Sequence, residues 1–256
     1  MKRHITRLLS FRLRACLICT AVVILGFNAR PSKMASQSPR EIRVRVRSHV
    51  ENLKVVKFEI KENRVKLTLK NEYAKPITAF AISAGDYTIT RDLNHSGNLL
   101  HPGGSYVQFA TLPSDDESNS EDPVITILAA VFQDRTSEGD ATVAEGIKNA
   151  RRGYKLQTAR ILIHLRRALD ASDENLSTAL TEARNAILHL PDGEVGESSY
   201  QGIKAGGHHA REEALSDLEE LFRLGPRVNR ALIRSELNDM KERYSRRAER
   251  FSGENK

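Results

Sequence analysis

The sequence predicts an α+β protein, an antiparallel β-sandwich followed by amphipathic α-helices. Three observations carry that prediction. Short runs of alternating apolar and polar residues recur between turn signals as far as Phe132. No helical period interrupts them, which favours strands paired with strands over strands wrapped by helices. Beyond Asp134 the apolar spacing changes from two to three and four, the period of a helix.

The strands follow in order. Ile42, Val44 and Val46 alternate with Arg43, Arg45 and Arg47, giving one apolar and one basic face. Val56, Phe58 and Ile60 form a second row, and Glu62-Asn63-Arg64 turns the chain into a third, Val65, Leu67 and Leu69. Thr78, Phe80 and Ile82 mark a fourth strand, which Gly85-Asp86 turns into a short edge strand with Tyr87 and Ile89. Pro102-Gly103-Gly104 opens a strand holding Tyr106 and Val107 to Leu112. The last run, Val124 to Phe132, is apolar almost throughout and suits a central strand buried on both faces. About 90 residues with six or seven strands match the size of an immunoglobulin-like domain, though the Cys-Trp-Cys core of antibody domains is absent.

Four helical stripes come next. Thr142 to Glu145 has the form of a capping box, and Val143, Ile147, Ala150, Tyr154, Ile161, Leu165 and Leu169 share one face. Leu176, Leu180, Ala183, Ile187 and Leu190 form a second stripe, ended by Pro191-Asp192-Gly193. The Gly/Ser-rich stretch up to Gly207 reads as a loop. Ala214, Leu218, Leu221 and Phe222 mark a third helix, and Ile233, Leu237, Met240, Tyr244 and Ala248 a fourth. No such helix buries its stripe alone, so the helices pack together, onto the sandwich, or onto a partner. The organisation expected is a leader over 1–29, a Pro/Ser-rich linker over 30–40, a sandwich over 41–134 and a helical region over 140–252.

The formal charge of +7 comes mainly from the leader, where Lys2, Arg3, Arg7, Arg12 and Arg14 meet no acid in the first 29 residues. Without those five charges the chain stands at +2. The 13 residues from Ala15 to Phe27 resemble the apolar core of a signal peptide and are short for a membrane span. The location expected is periplasmic or secreted, or tethered to the inner membrane where the leader stays uncleaved, since Phe27 is bulky for a cleavage site. Cys16 and Cys19 both fall in the leader. The mature chain therefore offers no disulfide, thiolate nucleophile or Cys-ligated zinc. With no Trp and 5% aromatic residues, an aromatic platform for bases or sugars is disfavoured.

The stretches Leu67 to Ile82 and Ile125 to Asp140, with the Pro102-Gly103 turn between them, resemble a group of uncharacterised exported bacterial proteins. These carry an immunoglobulin-like or FxLYD-like sandwich and a helical C-terminal region. The resemblance covers roughly residues 50 to 170 and implies the fold and the location; it implies no catalytic residues.

Two patterns suggest metal chemistry. Asp134, Thr136, Glu138, Asp140 and Glu145 place oxygens at spacings that partly match an EF-hand calcium loop, with Gly139 at the sixth position. Thr at the third position, Glu at the fifth and a strand before the loop depart from it. The alternative is a polar turn whose acids favour a helix N-terminus. His208-His209 and Glu212-Glu213 stand four apart at a helix start, but a zinc or iron site needs a third ligand. No nucleophile elbow, P-loop or dinucleotide fingerprint is present.

Two basic surfaces suggest an anion or a partner. Arg43, Arg45 and Arg47 either grip an anion or guard an edge strand. Lys148, Arg151, Arg152 and Lys155, with Arg160, Arg166 and Arg167, make the first long helix basic, and Glu212, Glu213, Asp217, Glu219 and Glu220 make the third helix acidic. Pairing of these two helices is one outcome; an anionic membrane surface or an acidic partner is the other. The function expected is that of an exported, non-catalytic binding or interaction module. Its partner would be an envelope protein or a second copy meeting the helical stripes, with nucleic acid excluded by location and no cofactor beyond calcium. The alternatives are a calcium- or metal-dependent periplasmic hydrolase and a membrane-tethered structural protein.

Overall fold

The computed structural model describes residues 44–61, 63–112, 123–192, 201–223 and 229–252. The leader, the linker, and Ile42 and Arg43 lie outside the described residues. Among the described residues the chain is α+β, with eight strands in two sheets and a helical C-terminal region. One sheet has the order β1 (Arg45–Ser48), β7 (Val124–Phe132), β4 (Ile77–Ala84), β5 (Tyr87–Asp92), and β8 (Ser137–Gly139) also pairs with β7. The other has the order β2 (Leu53–Lys61), β3 (Arg64–Asn71), β6 (Ser105–Thr111). β1 runs parallel to β7, and the remaining pairs are antiparallel.

The alternation read from the sequence builds one core between the sheets. Leu53, Val65, Leu67 and Leu69 pack in the same cluster as Phe80, Ile82, Ile125 and Ile127. Each such side chain contributes roughly 1.5–3 kcal/mol by leaving water. Three register shifts disturb the alternation. The one in β2, between Val55 and Lys57, makes Val56 the extra residue, so the expected row Val56, Phe58, Ile60 does not hold: Val55 and Ile60 reach the core and Val56 stays exposed. Phe58 stands opposite Leu67 but remains half exposed on this edge strand. β4 and β7 shift against each other between Ile77 and Ala79 and between Ala81 and Ile82. Ala130 and Phe132 face the sandwich core, while Val131 joins a second cluster with Ala79, Ala81 and Ile147. That helical cover is why the C-terminal half of β7 is buried on both faces.

The helices are α1 (Leu93–Ser96), α2 (Ala141–Asp170), α3 (Leu176–Leu188), α4 (Gln201–Arg223) and α5 (Arg230–Ser252). Their stripes close on one another: Ile161, Leu165, Leu176, Leu180, Ile187, Ala214, Leu218, Leu237, Met240 and Tyr244 share one buried cluster. The stripes expected to meet a partner are therefore largely used inside the chain. None of the described helices is long and apolar enough to cross a membrane. Strands and helices belong to one unit, Ile42–Lys256.

Two expectations about helix ends are corrected. α2 is capped by Asp140, whose carboxylate accepts from the Thr142 and Val143 amides, not by a Thr142 capping box. The stretch expected as a loop up to Gly207 is helical from Gln201. Its glycines serve a close approach of two helix backbones. A Cβ on Gly206 would sit 1.8 Å from the Ala150 carbonyl oxygen, and one on Gly153 would sit 1.9 Å from that of Ile203. Gly206→Ala is expected to destabilise the protein by about 1–3 kcal/mol through overpacking. Gly146→Ala, in a helix interior with open space around it, is expected to stabilise by roughly 0.5–1 kcal/mol. Urea unfolding of both variants checks the contrast.

Candidate functional site

The junction of sheet and helices is built around α1. Asp92 ends β5 and caps α1, its Oδ1 accepting from the Asn94 amide at 3.0 Å and the His95 amide at 3.3 Å. Arg151 of α2 meets the same carboxylate with two bonds: Nε to Oδ2 at 2.7 Å and a terminal nitrogen to Oδ1 at 2.9 Å. That terminal nitrogen also donates to the Thr78 carbonyl at 3.0 Å. With 2% of its surface exposed, Arg151 belongs to the interior. Its guanidinium is held by Asp92, and the residue also lines the basic cleft beside it. At the far end of α1, Arg250 of α5 donates to the Asn94 and His95 carbonyls.

A cleft of about 330 Å3 is lined by Arg135, Lys148, Arg151, Arg152 and Lys155, with Glu145 as its acid and Val131 and Phe251 as its apolar residues. Lys148, Arg152 and Lys155 of the expected basic surface are thus brought together. The turn residue Arg135, held at φ 71°, joins them; sequence spacing gave no sign of it. Arg45 and Arg47 lie elsewhere, exposed on β1 at one end of the sheet. Arg43 lies outside the described residues.

The five calcium-loop residues are not gathered. Asp134 accepts from the Thr136 amide and hydroxyl at 3.1 and 2.6 Å, and pairs with Lys75 at 3.1 Å. The Thr136 hydroxyl, helped by Lys75, holds the Asp134 carboxyl below its ordinary pKa against the opposing effect of burial. Glu138 accepts from the Glu51 amide, Asp140 caps α2, and Glu145 lines the cleft. Gly139 is explained by the β7–β8 hairpin: at φ 94°, a Cβ would stand 2.2 Å from the Leu128 carbonyl oxygen. The stretch is a tight strand-to-helix connection with its oxygens already engaged.

The second metal pattern gains the ligand it lacked. His208 and Glu212 remain at the surface near Asp192, but His209 and Glu213 face His95 of α1. Among the described residues these three are the group of metal-type side chains whose donor atoms all lie within 4.8 Å of one another. His95 Nε2 stands 3.5 Å from Glu213 Oε2. Tyr154 donates to the same oxygen at 2.8 Å, and Arg247 of α5 pairs with Oε1. Burial alone would raise the Glu213 carboxyl, but hydrogen bonds from His95, Arg247 and Tyr154 hold it at about 2. Burial, then the Glu213 charge, raises Tyr154 above the ordinary phenol range, so it remains a donor. Burial, then His95, lowers His209 and favours the neutral imidazole.

The acids of α4 find their ion-pair partners on α5 and α3: Glu213 with Arg247, Asp217 with Arg243 at 2.9 Å and Glu219 with Arg184 at 3.1 Å. α2 and α4 do pair within the chain, as expected, but they meet through small residues, while these α4 acids are met from α5 and α3. No family model, curated protein or solved structure matches the chain significantly.

Arg151→Ala takes the donor from the Thr78 carbonyl and from the partly exposed Asp92 carboxylate, and is expected to lose about 1–3 kcal/mol of stability. Arg152→Ala, exposed on the next position, should change it by no more than about 0.5 kcal/mol. Parallel denaturant titrations compare the two.

Proposed function

We propose that the protein is an exported, non-catalytic binding module of the bacterial cell envelope, and that the cleft on α2 holds a phosphate-bearing group. One observation carries this: five basic side chains, one of them the Asp92-paired Arg151, line a cleft of about 330 Å3 that contains one acid. Arginine forks and lysine ammonium groups at that density suit an oxyanion, through short charge-assisted hydrogen bonds. Lys148 reaches the Ser137 hydroxyl at 3.3 Å, which sets it at the cleft's mouth beside the β8 turn. Apolar Val131 and Phe251 lower the local polarity and strengthen such bonds.

The basic stretch before Ala15 and the apolar run to Phe27 support export, and mass spectrometry of the native N-terminus tests it. The two-sheet part reads as an immunoglobulin-like sandwich acting as scaffold. Its two sheets packed on one core support that reading.

Inorganic pyrophosphate is the probe for the cleft. In calorimetry and thermal melts the wild-type chain is expected to bind it saturably, more weakly as salt rises. Each lysine lost removes a bond to a charged group, about 1.5–3 kcal/mol, so Lys148→Gln with Lys155→Gln should weaken binding at least about tenfold. Lys57→Gln with Lys66→Gln on the outer sheet should leave it unchanged. Absence of any response at millimolar pyrophosphate, or an equal response from the cleft variant, would sink the reading.

A further inference from the structure

We propose that His95, His209 and Glu213 form a binding site for a divalent cation of the zinc class. The site is separate from the cleft and does not depend on its ligand.

The donor set comes first. Two imidazoles and a carboxylate suit zinc and its neighbours in the first transition row, whereas calcium and magnesium take oxygen ligands. Geometry agrees with that chemistry. Bonds of about 2.1 Å in a tetrahedron separate neighbouring ligand atoms by about 3.4 Å. His95 Nε2 and Glu213 Oε2 stand 3.5 Å apart, and all three donors fall within 4.8 Å. A small rotation of the exposed His209 ring closes the remaining gap.

The supports of these ligands are those of a built site. His209 and Glu213 are one turn apart on α4 and project from the same face. His95 sits on a single helical turn fastened at both ends, by Asp92 at its start and Arg250 at its finish. Glu213 is oriented by Tyr154 at 2.8 Å and by Arg247. Such outer-shell bonds typically aim a ligating carboxylate. Tyr154 also stands edge-on to the His95 ring, with centroids 4.9 Å apart.

A purely structural network accounts for Glu213, Arg247 and Tyr154, which satisfy one another. It does not account for His209. That ring touches the rings of His95 and Tyr154 at 5.5 and 5.9 Å, and among the described residues no hydrogen bond or ion pair engages its nitrogens. Solvent reaches the ring, which leaves room for water as a fourth ligand. Arg247 offsets part of the Glu213 charge, so the imidazoles carry more of the affinity.

The test uses the tag-free, chelator-treated chain with zinc chloride in calorimetry and cobalt(II) in visible absorption. One saturable equivalent of zinc is expected, with cobalt bands in the visible range. His95→Ala, His209→Ala and Glu213→Gln should each weaken binding by about 10- to 100-fold. His208→Ala, one position away and outside the group, should retain it. His209→Ala removes an exposed ring and should keep the melting temperature of the metal-free wild type, so its loss of zinc is not a loss of fold. The Lys148/Lys155 variant should bind zinc normally, which separates this inference from the cleft. An undiminished zinc response in His209→Ala overturns the proposal, as does no saturable zinc binding in the wild type.

Discussion

The buried pair of Arg151 with Asp92 is the interaction on which the arrangement of sheet and helices depends. Removing a guanidinium from water costs several kcal/mol, and only a bidentate partner with a further acceptor offsets that. Asp92 supplies the two bonds and the Thr78 carbonyl the third. The same carboxylate begins α1, so one acid fixes the end of β5, the start of a helical turn and the face that α2 presents. A single turn has no helical stability of its own. α1 exists because Asp92 caps its amides, Gly97 takes the left-handed C-cap, and Arg250 occupies its last carbonyls. Two arginines from different helices thus hold one turn between them.

Seven of the eight strands are legible in the alternation, because most have a face in the inter-sheet core. The failures are local. A one-residue bulge after Val55 turns Val56 out of the expected row, and Phe58, although opposite Leu67, stays half exposed because β2 is an edge strand. β8 is too short to show a period, and Ser137-Glu138-Gly139 resembled ligand chemistry instead. The start of α4 was hidden by Gly202, Gly206 and Gly207, residues that signal a break when propensity alone decides. At Gly202 and Gly206 the neighbouring α2 leaves no room for a Cβ, and a single sequence does not display such a tertiary constraint.

The candidate sites were half legible for a related reason. Spacing on one helix shows which side chains share a face, so Lys148, Arg152 and Lys155 were found together, and so were His209 and Glu213. Contributions from other elements were not visible. Arg135 arrives from a turn and His95 from a helical turn after β5, and their positions follow from pairing and packing. The charge asymmetry of the helices was real, yet its partners were misassigned. Complementary sign favours pairing, but the small residues between α2 and α4 bring backbones together and leave α5 and α3 to reach the α4 acids.

The basic stripe of α2 is best understood through what it does to the helix itself. Lys148, Arg151, Arg152 and Lys155 stand three and four apart, so each has like-charged neighbours along the helix surface. Such pairs destabilise a helix by a few tenths of a kcal/mol each. Asp92 cancels one of these charges by burying Arg151 with it, and Glu145 lies three residues before Lys148. Arg135 then adds a further cation from the turn. Cations from two elements thus border one cleft, and under the reading proposed for it an oxyanion bound between them would lower their mutual repulsion.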